Sequence, residues 1–180
     1  MGIEMENGIY IETDRLILRS GRVEDAQVLH VAVNEVWDEL QLWMSWAFEG
    51  NQKIEAQKAF LSDGKQNPIL GFDKATGVFV IATGYHPHDE RSAETGYWVA
   101  KDFRRQGLAH EAMQAVLSHI FAQNVSEAIY ICHADGNTPS ENLIKKLGFA
   151  KTGITENDHV RCSDGTRLST HHYIMERRTS

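Results

Sequence analysis

The 180-residue chain predicts a mixed α/β domain, with a central sheet of about six to seven strands flanked by about four helices. Three observations predict it. Short apolar runs of strand length alternate along the chain with stretches whose apolar residues recur at helical spacing. The longest helical stripe, Leu108 to Phe121, lies between two strand runs, so the sheet it packs on is built from both sides of it in sequence. With 42% hydrophobic residues, three prolines and no tract of biased composition, the chain has material for one core and nothing that reads as an interdomain linker. Residues 1–180 therefore read as a single domain, with residues 1–12 as an extension ahead of it.

The elements follow in order. Arg15-Leu-Ile-Leu-Arg19 alternates as a half-buried strand does. Val23-Glu-Asp-Ala26 opens a helix whose Ala26, Leu29, His30 and Val33 recur at helical spacing. Segment 34–48 carries Trp37, Leu40, Trp43, Met44 and Trp46 among acidic residues, ahead of a second helix over Lys53–Leu61. Ile69-Leu70, Val78–Ala82 and Thr95–Val99 are strand runs separated by turn formers at 73–77 and 86–91, the pattern of an antiparallel meander. After the Leu108–Phe121 helix come a strand at Ile129–Cys132, a shorter helix at Thr138–Leu147 ended by Gly148, and two late strands, Phe149–Ile154 and Leu168–Met175, around an Asp164-Gly165 turn. The predicted order is β-α-α-β-β-β-α-β-α-β-β.

Charge and cysteine usage narrow the function. A formal net charge of -7 argues against direct nucleic-acid binding, which gains affinity by neutralising phosphates. It suits cationic partners such as amines or basic protein tails, and it equally serves to keep a protein soluble. The early apolar residues are scattered among Glu4, Glu6 and Glu12, so neither a secretory leader nor a membrane span is expected, and the expected location is cytoplasmic. Cys132 and Cys162 form no CxxC and no disulfide framework, and are expected as reduced thiols. His86-Pro-His88-Asp89 has metal-binding residue types without a third or fourth ligand at suitable spacing, so no metal is expected.

The stretch Asp102-Phe-Arg-Arg-Gln-Gly-Leu-Ala-His-Glu-Ala112 sets two arginines and a glycine immediately before a helix. Unpaired amides at a helix start, the positive end of its dipole and flanking cations all favour a pyrophosphate. The spacing matches neither of the familiar phosphate loops, GxxxxGK[ST] and GxGxxG. Taken alone, the stretch is equally a surface turn with two solvated arginines.

Glu94-Thr-Gly-Tyr-Trp-Val99, Arg104-Arg-Gln-Gly-Leu-Ala109-His-Glu-Ala112, Asn137-Thr-Pro-Ser140 and Lys146-Leu-Gly-Phe149 stand together in the order and spacing of one family. The chain resembles the GNAT-fold acetyltransferases. Thr13–Arg19, Leu42-Trp-Met-Ser-Trp46 and the late hairpin make it similar to the branch that acetylates N-termini of ribosomal proteins. The resemblance implies acetyl-CoA as co-substrate and direct attack of a primary amine on the thioester in a ternary complex. Gln106, Gly107, Leu108 and Ala109 would cradle the pyrophosphate beside Arg104 and Arg105, and the backbone at Trp98 and Val99 would pair with the pantetheine arm. The Asn137 amide would bond to pantetheine or cap its helix.

Glu94, on the same strand face as Gly96 and Trp98, is the candidate base, its alternative being a solvated charge. Many members of the wider fold place a tyrosine in the later helix to protonate the leaving thiolate. Here Ile144 occupies that place, and Ser140 is the candidate acid, its alternative being a bond to helix backbone. Trp37, Trp43 and Trp46, with Glu35, Asp38, Glu39 and Glu49, would line an acceptor cleft, or two of the tryptophans belong to the core. The implied acceptor is a protein N-terminal α-amine, ribosomal protein fitting best; a polyamine, amino acid or aminoglycoside is the alternative. A non-catalytic acyl-CoA sensor is the rival from another class. The assembly is expected as a monomer or homodimer.

Overall fold

The computed structural model describes residues 8–177, and their strands form one eight-stranded sheet. Its spatial order is β1 (Tyr10–Glu12), β2 (Leu16–Ser20), β3 (Pro68–Asp73), β4 (Phe79–Pro87), β5 (Ser92–Val99), β6 (Ala128–Ala134), β8 (Arg167–Glu176) and β7 (Ala150–Val160). All neighbours are antiparallel except β5 and β6. The predicted meander is β3-β4-β5. The helices are α1 (Ala26–Glu35), α2 (Trp37–Trp43), α3 (Ile54–Ser62), α4 (Leu108–Ala122) and α5 (Thr138–Leu147).

The α4 stripe does what its spacing predicts. Leu108, Ala112, Val116 and Ile120 pack with Leu16, Leu18, Ile69 and Ile81 on one face of the sheet, joined by Ile144 of α5. Leu16, Leu18 and Ile69 are fully excluded from solvent, and each such side chain contributes about 1.5–3 kcal/mol of apolar burial. The opposite face, with Leu70, Phe79, Ala82 and Trp98, receives Ala26, Leu29 and Ala32 of α1 and Leu61 of α3. A smaller cluster of Val33, Val36, Leu40 and Ala47 seats α2 beside α1.

Two elements go beyond the sequence expectation. Segment 34–48 contains a fifth helix, α2, which starts one residue after α1 ends. Val36, at φ -121° and ψ 16°, breaks the turn between them and so shifts the phase of the apolar residues. Residues 10–12 are not part of an extension but form an edge strand paired with β2, too short to show an alternation. Among the described residues there are therefore eight strands where six to seven were expected, and five α-helices where four were expected.

The sheet is not continuous between β5 and β6. Parallel pairing runs only from Ser92/Ala128 through Ala93/Ile129 to Glu94/Tyr130. Beyond that point β5 stays paired with β4 as far as Val99, and β6 stays paired with β8 as far as Ala134. The two strands diverge after Glu94, leaving one edge of Thr95–Val99 without a strand partner and a gap between the halves of the sheet.

Candidate active site

The arginine-glycine stretch forms the predicted turn into a helix. Arg105 (φ 57°) and Gly107 (φ 77°) both adopt the left-handed conformation, and Gly107 is the N-cap of α4 without any side-chain cap. Glu111 N–H donates to Gly107 O at 3.1 Å, so helix geometry leaves the amides of Leu108, Ala109 and His110 without intrahelical acceptors. The loop is pinned from behind. Arg15 donates to Gln106 O at 2.9 Å and to the Glu111 carboxylate at 2.7 Å, while Thr13 Oγ1 donates to the same carboxylate at 2.5 Å. Partial burial opposes ionisation of Glu111, but the bonds from Thr13 and Arg15 outweigh it and hold its pKa below the ordinary value.

The two arginines differ in their surroundings. Arg105 is exposed, whereas Arg104 is engaged: Nε donates to Val99 O at 3.3 Å and the guanidinium pairs with Glu39 of α2. The Val99 carbonyl expected to meet pantetheine thus already has a donor in this structure.

At the point where the sheet opens, His86, Glu94 and Tyr130 are register partners and share one face. His86 Nε2 lies 3.6 Å and His88 Nδ1 3.7 Å from Glu94 Oε2, and the Cys132 thiol lies 3.9 Å from Oε1. The His88 ring stacks on Tyr130 with centroids 4.3 Å apart. Desolvation, then the charges of Glu94 and Asp158, push the Cys132 pKa up to about 11, although solvent still reaches this residue. Enclosure by protein together with solvent access is what the floor of a cleft produces. Asp158 comes from an irregular stretch of β7, next to left-handed Asn157 (φ 54°), and accepts from Thr170 Oγ1 at 2.7 Å. Among the described residues no group of three or more His, Cys, Asp or Glu is arranged to hold a metal ion.

The other face carries the second candidate. Tyr97, one step out of phase with Glu94, packs on the α4 cluster, and its hydroxyl donates to Ser140 Oγ at 3.4 Å. Asn137 caps α5, its Oδ1 accepting from Ser140 N–H at 3.3 Å, so the cap is realised and the serine hydroxyl is left for Tyr97. Ile144 is completely buried. Glu94 and Ser140 therefore approach β5 from opposite faces, with the gap between β5 and β6 as the place open to both.

The three tryptophans separate. Trp37 and Trp46 pack against the α2 cluster. Trp43 instead lies 3.7 Å from where a Cβ on Gly136 would sit, at the loop between β6 and α5, with the Arg161 guanidinium 5.9 Å from its ring. The tip of the β7–β8 hairpin is tied to the same region, Cys162 N–H and Ser163 N–H donating to Gln41 O at 3.0 and 3.3 Å. A cavity of about 240 Å³ lies between the α1–α2 junction and the loop before α4, lined by Glu35, Trp37, Asp38, Glu39, Lys101 and Arg104 among others. Sequence spacing missed His86 and His88 as neighbours of Glu94, and it also missed Cys132, Tyr97 and Arg15 as parts of the site and Glu39 as the partner of Arg104. For Tyr97 a signal existed, since the alternation that puts Glu94 on one face puts Tyr97 on the other.

The acetyltransferase (GNAT) domain family matches residues 15–150 of this chain. The chain belongs to the GNAT acetyltransferase family. This acetyltransferase is 29% identical over 175 residues to YoaA of Bacillus subtilis, an uncharacterized N-acetyltransferase, covering 92% of this chain and 95% of that protein. Its fold superimposes with a TM-score of 0.83 on RimL, a ribosomal alpha-N-protein acetyltransferase in complex with coenzyme A, at 18% identity over 93% of this chain and 97% of that one. It superimposes with a TM-score of 0.80 on MccE, a microcin C7 self-immunity acetyltransferase in complex with acetyl-CoA and AMP, at 16% identity over 91% and 93% of the two chains. The enzyme is an acetyl-CoA-dependent N-acetyltransferase. None of its described helices is long and apolar enough to cross a membrane.

Proposed function

We propose that this GNAT enzyme acetylates a protein N-terminal α-amine, a ribosomal protein being the best-fitting acceptor. The observation that carries the reading is the opening of the sheet immediately after Glu94, with a carboxylate on one face of β5 and the Ser140 hydroxyl on the other. The uncapped amides at the start of α4 suit the pyrophosphate of acetyl-CoA, with exposed Arg105 beside them. The free edge of Thr95–Val99 suits the amides of the pantetheine arm, and Arg104 would yield Val99 O to that arm or share it. On this reading the thioester lies in the gap.

Within that layout Glu94 takes the proton of the attacking amine, and His86 and His88 beside it pass the proton to solvent. The amine nitrogen forms its bond to the carbonyl carbon, the carbon–sulfur bond breaks, and Ser140 gives its hydroxyl proton to the sulfur. The leading acceptor follows from acidity: an α-amine with a pKa of about 7.7–8.0 is partly neutral near pH 7, whereas a lysine amine near 10.4 is almost wholly protonated. A carboxylate then suffices as the base. The likeness to RimL points to ribosomal protein among N-termini. A cytoplasmic setting accords with two free cysteines in the chain.

One observation favours a second acceptor class. Glu35, Asp38 and Glu39 line the cavity of about 240 Å³ together with Lys101 and Arg104, so its three carboxylates outnumber its cations by only one, and its size admits a small polyamine. A panel of N-terminal peptides and small amines, followed by thiol release and mass measurement of the acetylated nitrogen, separates the readings. Acetylation of peptide α-amines is expected. Turnover confined to polyamines would reassign the acceptor, and acetyl-CoA binding with no acceptor-dependent thiol would identify a sensor.

A further inference from the structure

Tyr97 is a partly buried phenol whose hydroxyl meets a single side chain, Ser140, across the gap where the sheet opens. Its ring is held on the α4 cluster, so the hydroxyl has little freedom to turn elsewhere. Burial pushes the phenol's pKa up, the bond to Ser140 offsetting part of the shift, so near neutral pH Tyr97 is a hydrogen-bond donor and not a phenolate. Ser140 is as constrained. Its N–H is taken by Asn137, and its oxygen accepts from Tyr97, which leaves the serine's own hydrogen as the free donor of the pair.

We propose that Tyr97 is a positioning residue for departure of the CoA thiolate: by donating to Ser140 Oγ it turns the serine hydrogen toward the sulfur in the gap. This rests on the role proposed above for Ser140. As the carbon–sulfur bond breaks, its electron pair goes to sulfur and the Ser140 O–H proton follows. As the serine loses its proton, the Tyr97 O–H proton moves onto Ser140 Oγ, because a phenol is a far stronger acid than an alcohol. Water then restores the Tyr97 proton, balancing the proton that Glu94 took from the amine and released to solvent. The phenol that the wider fold draws from the later helix, where this chain has buried Ile144, is thus supplied from strand β5 and acts through a serine.

The test is a double-mutant cycle on the full chain, with acetyl-CoA and an acceptor peptide that the wild type turns over. Tyr97→Phe keeps the ring and removes only the donor. It is expected to lower kcat about tenfold, less than the roughly 10²–10⁴-fold of a direct general acid because Tyr97 acts through Ser140, with KM for acetyl-CoA within about twofold of wild type. In a Ser140→Ala background the same change is expected to cost nothing further. Equal losses in both backgrounds, an unchanged kcat in Tyr97→Phe, or a rise in KM alone would each overturn the proposal. An unchanged rate in Ser140→Ala would remove the serine's role and the tyrosine's with it, whereas a wild type inactive on every acceptor would strike at acetyl transfer itself. Retained coenzyme A binding and an unchanged melting temperature in Tyr97→Phe separate a chemical effect from a folding one.

Discussion

The cofactor side and the acceptor side of the gap are built differently. On the cofactor side the backbone conformation is set locally, even though Thr13, Arg15 and Glu39 brace the loop from afar: Gly107 sets its own left-handed turn, Glu111 closes the first helical bond onto it, and Asn137 caps the helix that carries Ser140 three residues on. On the acceptor side the contacts are long-range. Gln41 of α2 holds Cys162 and Ser163, Arg161 sits over Trp43, and Trp43 lies against Gly136. A site held by local turns presents fixed amides to a ligand that does not vary, whereas a site assembled from distant loops can change acceptor without disturbing the cofactor cradle.

The largest expected effect separates the two sides at their junction. Glu94→Gln is expected to lower kcat by about 10²-fold or more, the scale on which a positioned base acts, while acetyl-CoA affinity stays within about twofold. Steady-state thiol release together with calorimetric binding of acetyl-CoA gives both numbers. A matching loss of affinity would place Glu94 on the cofactor side of the comparison.

Next comes Gly107→Ala. An L-residue in the left-handed region costs roughly 1–2 kcal/mol; the Gly107→Ala turn should relax when free and return to this conformation to bind, so acetyl-CoA binding should weaken by up to about five- to thirtyfold, with acceptor KM little changed. A Cβ there meets only Arg15 Nη2, at 3.6 Å, so strain and not collision sets the loss. Binding at the wild-type level would show that the turn conformation does not matter to the cofactor.

Glu111→Gln tests the pin behind that turn. Arg15 is 49% exposed, so the ion pair itself is discounted for solvent screening and about 1 kcal/mol is expected, mostly from the hydrogen bonds of Thr13 and Arg15. The Glu111 pKa is lowered on folding, so its stabilisation is fully present above the unfolded value of about 4.3 and is lost as pH falls through the folded value. Thermal melts of wild type and Glu111→Gln should therefore start to converge as pH falls below the unfolded value and meet once it is under the lowered folded value. A constant difference across the acid range would remove the ionised carboxylate from the account.

What the sequence made legible follows the same division. The Gly107 turn, the α4 stripe and the Asn137 cap were readable because each is decided within a few residues of itself. Helix α2 was not, because the break at Val36 splits one apolar rhythm into two short ones. The pairing of Arg104 with Glu39 was out of reach for another reason: the partners are 65 residues apart and meet only once α2 has packed beside the loop. Alternation put Glu94 and Tyr97 on opposite faces, yet which helix would meet Tyr97 depends on the α4 crossover, which no local pattern encodes. The same limit applies to the tryptophans, identical in kind and spaced within ten residues, of which only Trp43 reaches the loop before α5.

That divergence makes Trp43→Ala the acceptor-side counterpart of Gly107→Ala. Loss of an aromatic face for a cation is expected to raise acceptor KM about two- to fivefold, the range of an exposed cation–π contact, with acetyl-CoA affinity unchanged. Kinetics varied separately in each substrate read the split. An effect on acetyl-CoA alone would move Trp43 to the cofactor side.

The smallest effect probes where the two sides meet. Cys132 lies under Glu94 on β6 and within the field of Asp158, which belongs to the acceptor-side hairpin. With its pKa near 11 the thiol should alkylate slowly at pH 8, since only the thiolate is nucleophilic. Glu94→Gln removes one of the carboxylates that raise the pKa, and Asp158→Asn removes the other; each should speed reaction with iodoacetamide about two- to fivefold. Neither variant should reach the rate of a free cysteine, because desolvation, the largest cause of the shift, is untouched. Mass spectrometry of the Cys132 peptide over time supplies the rates. Acceleration by Glu94→Gln with none by Asp158→Asn would mean that in solution the hairpin stands away from the gap, and that the acceptor side is completed only when an acceptor binds.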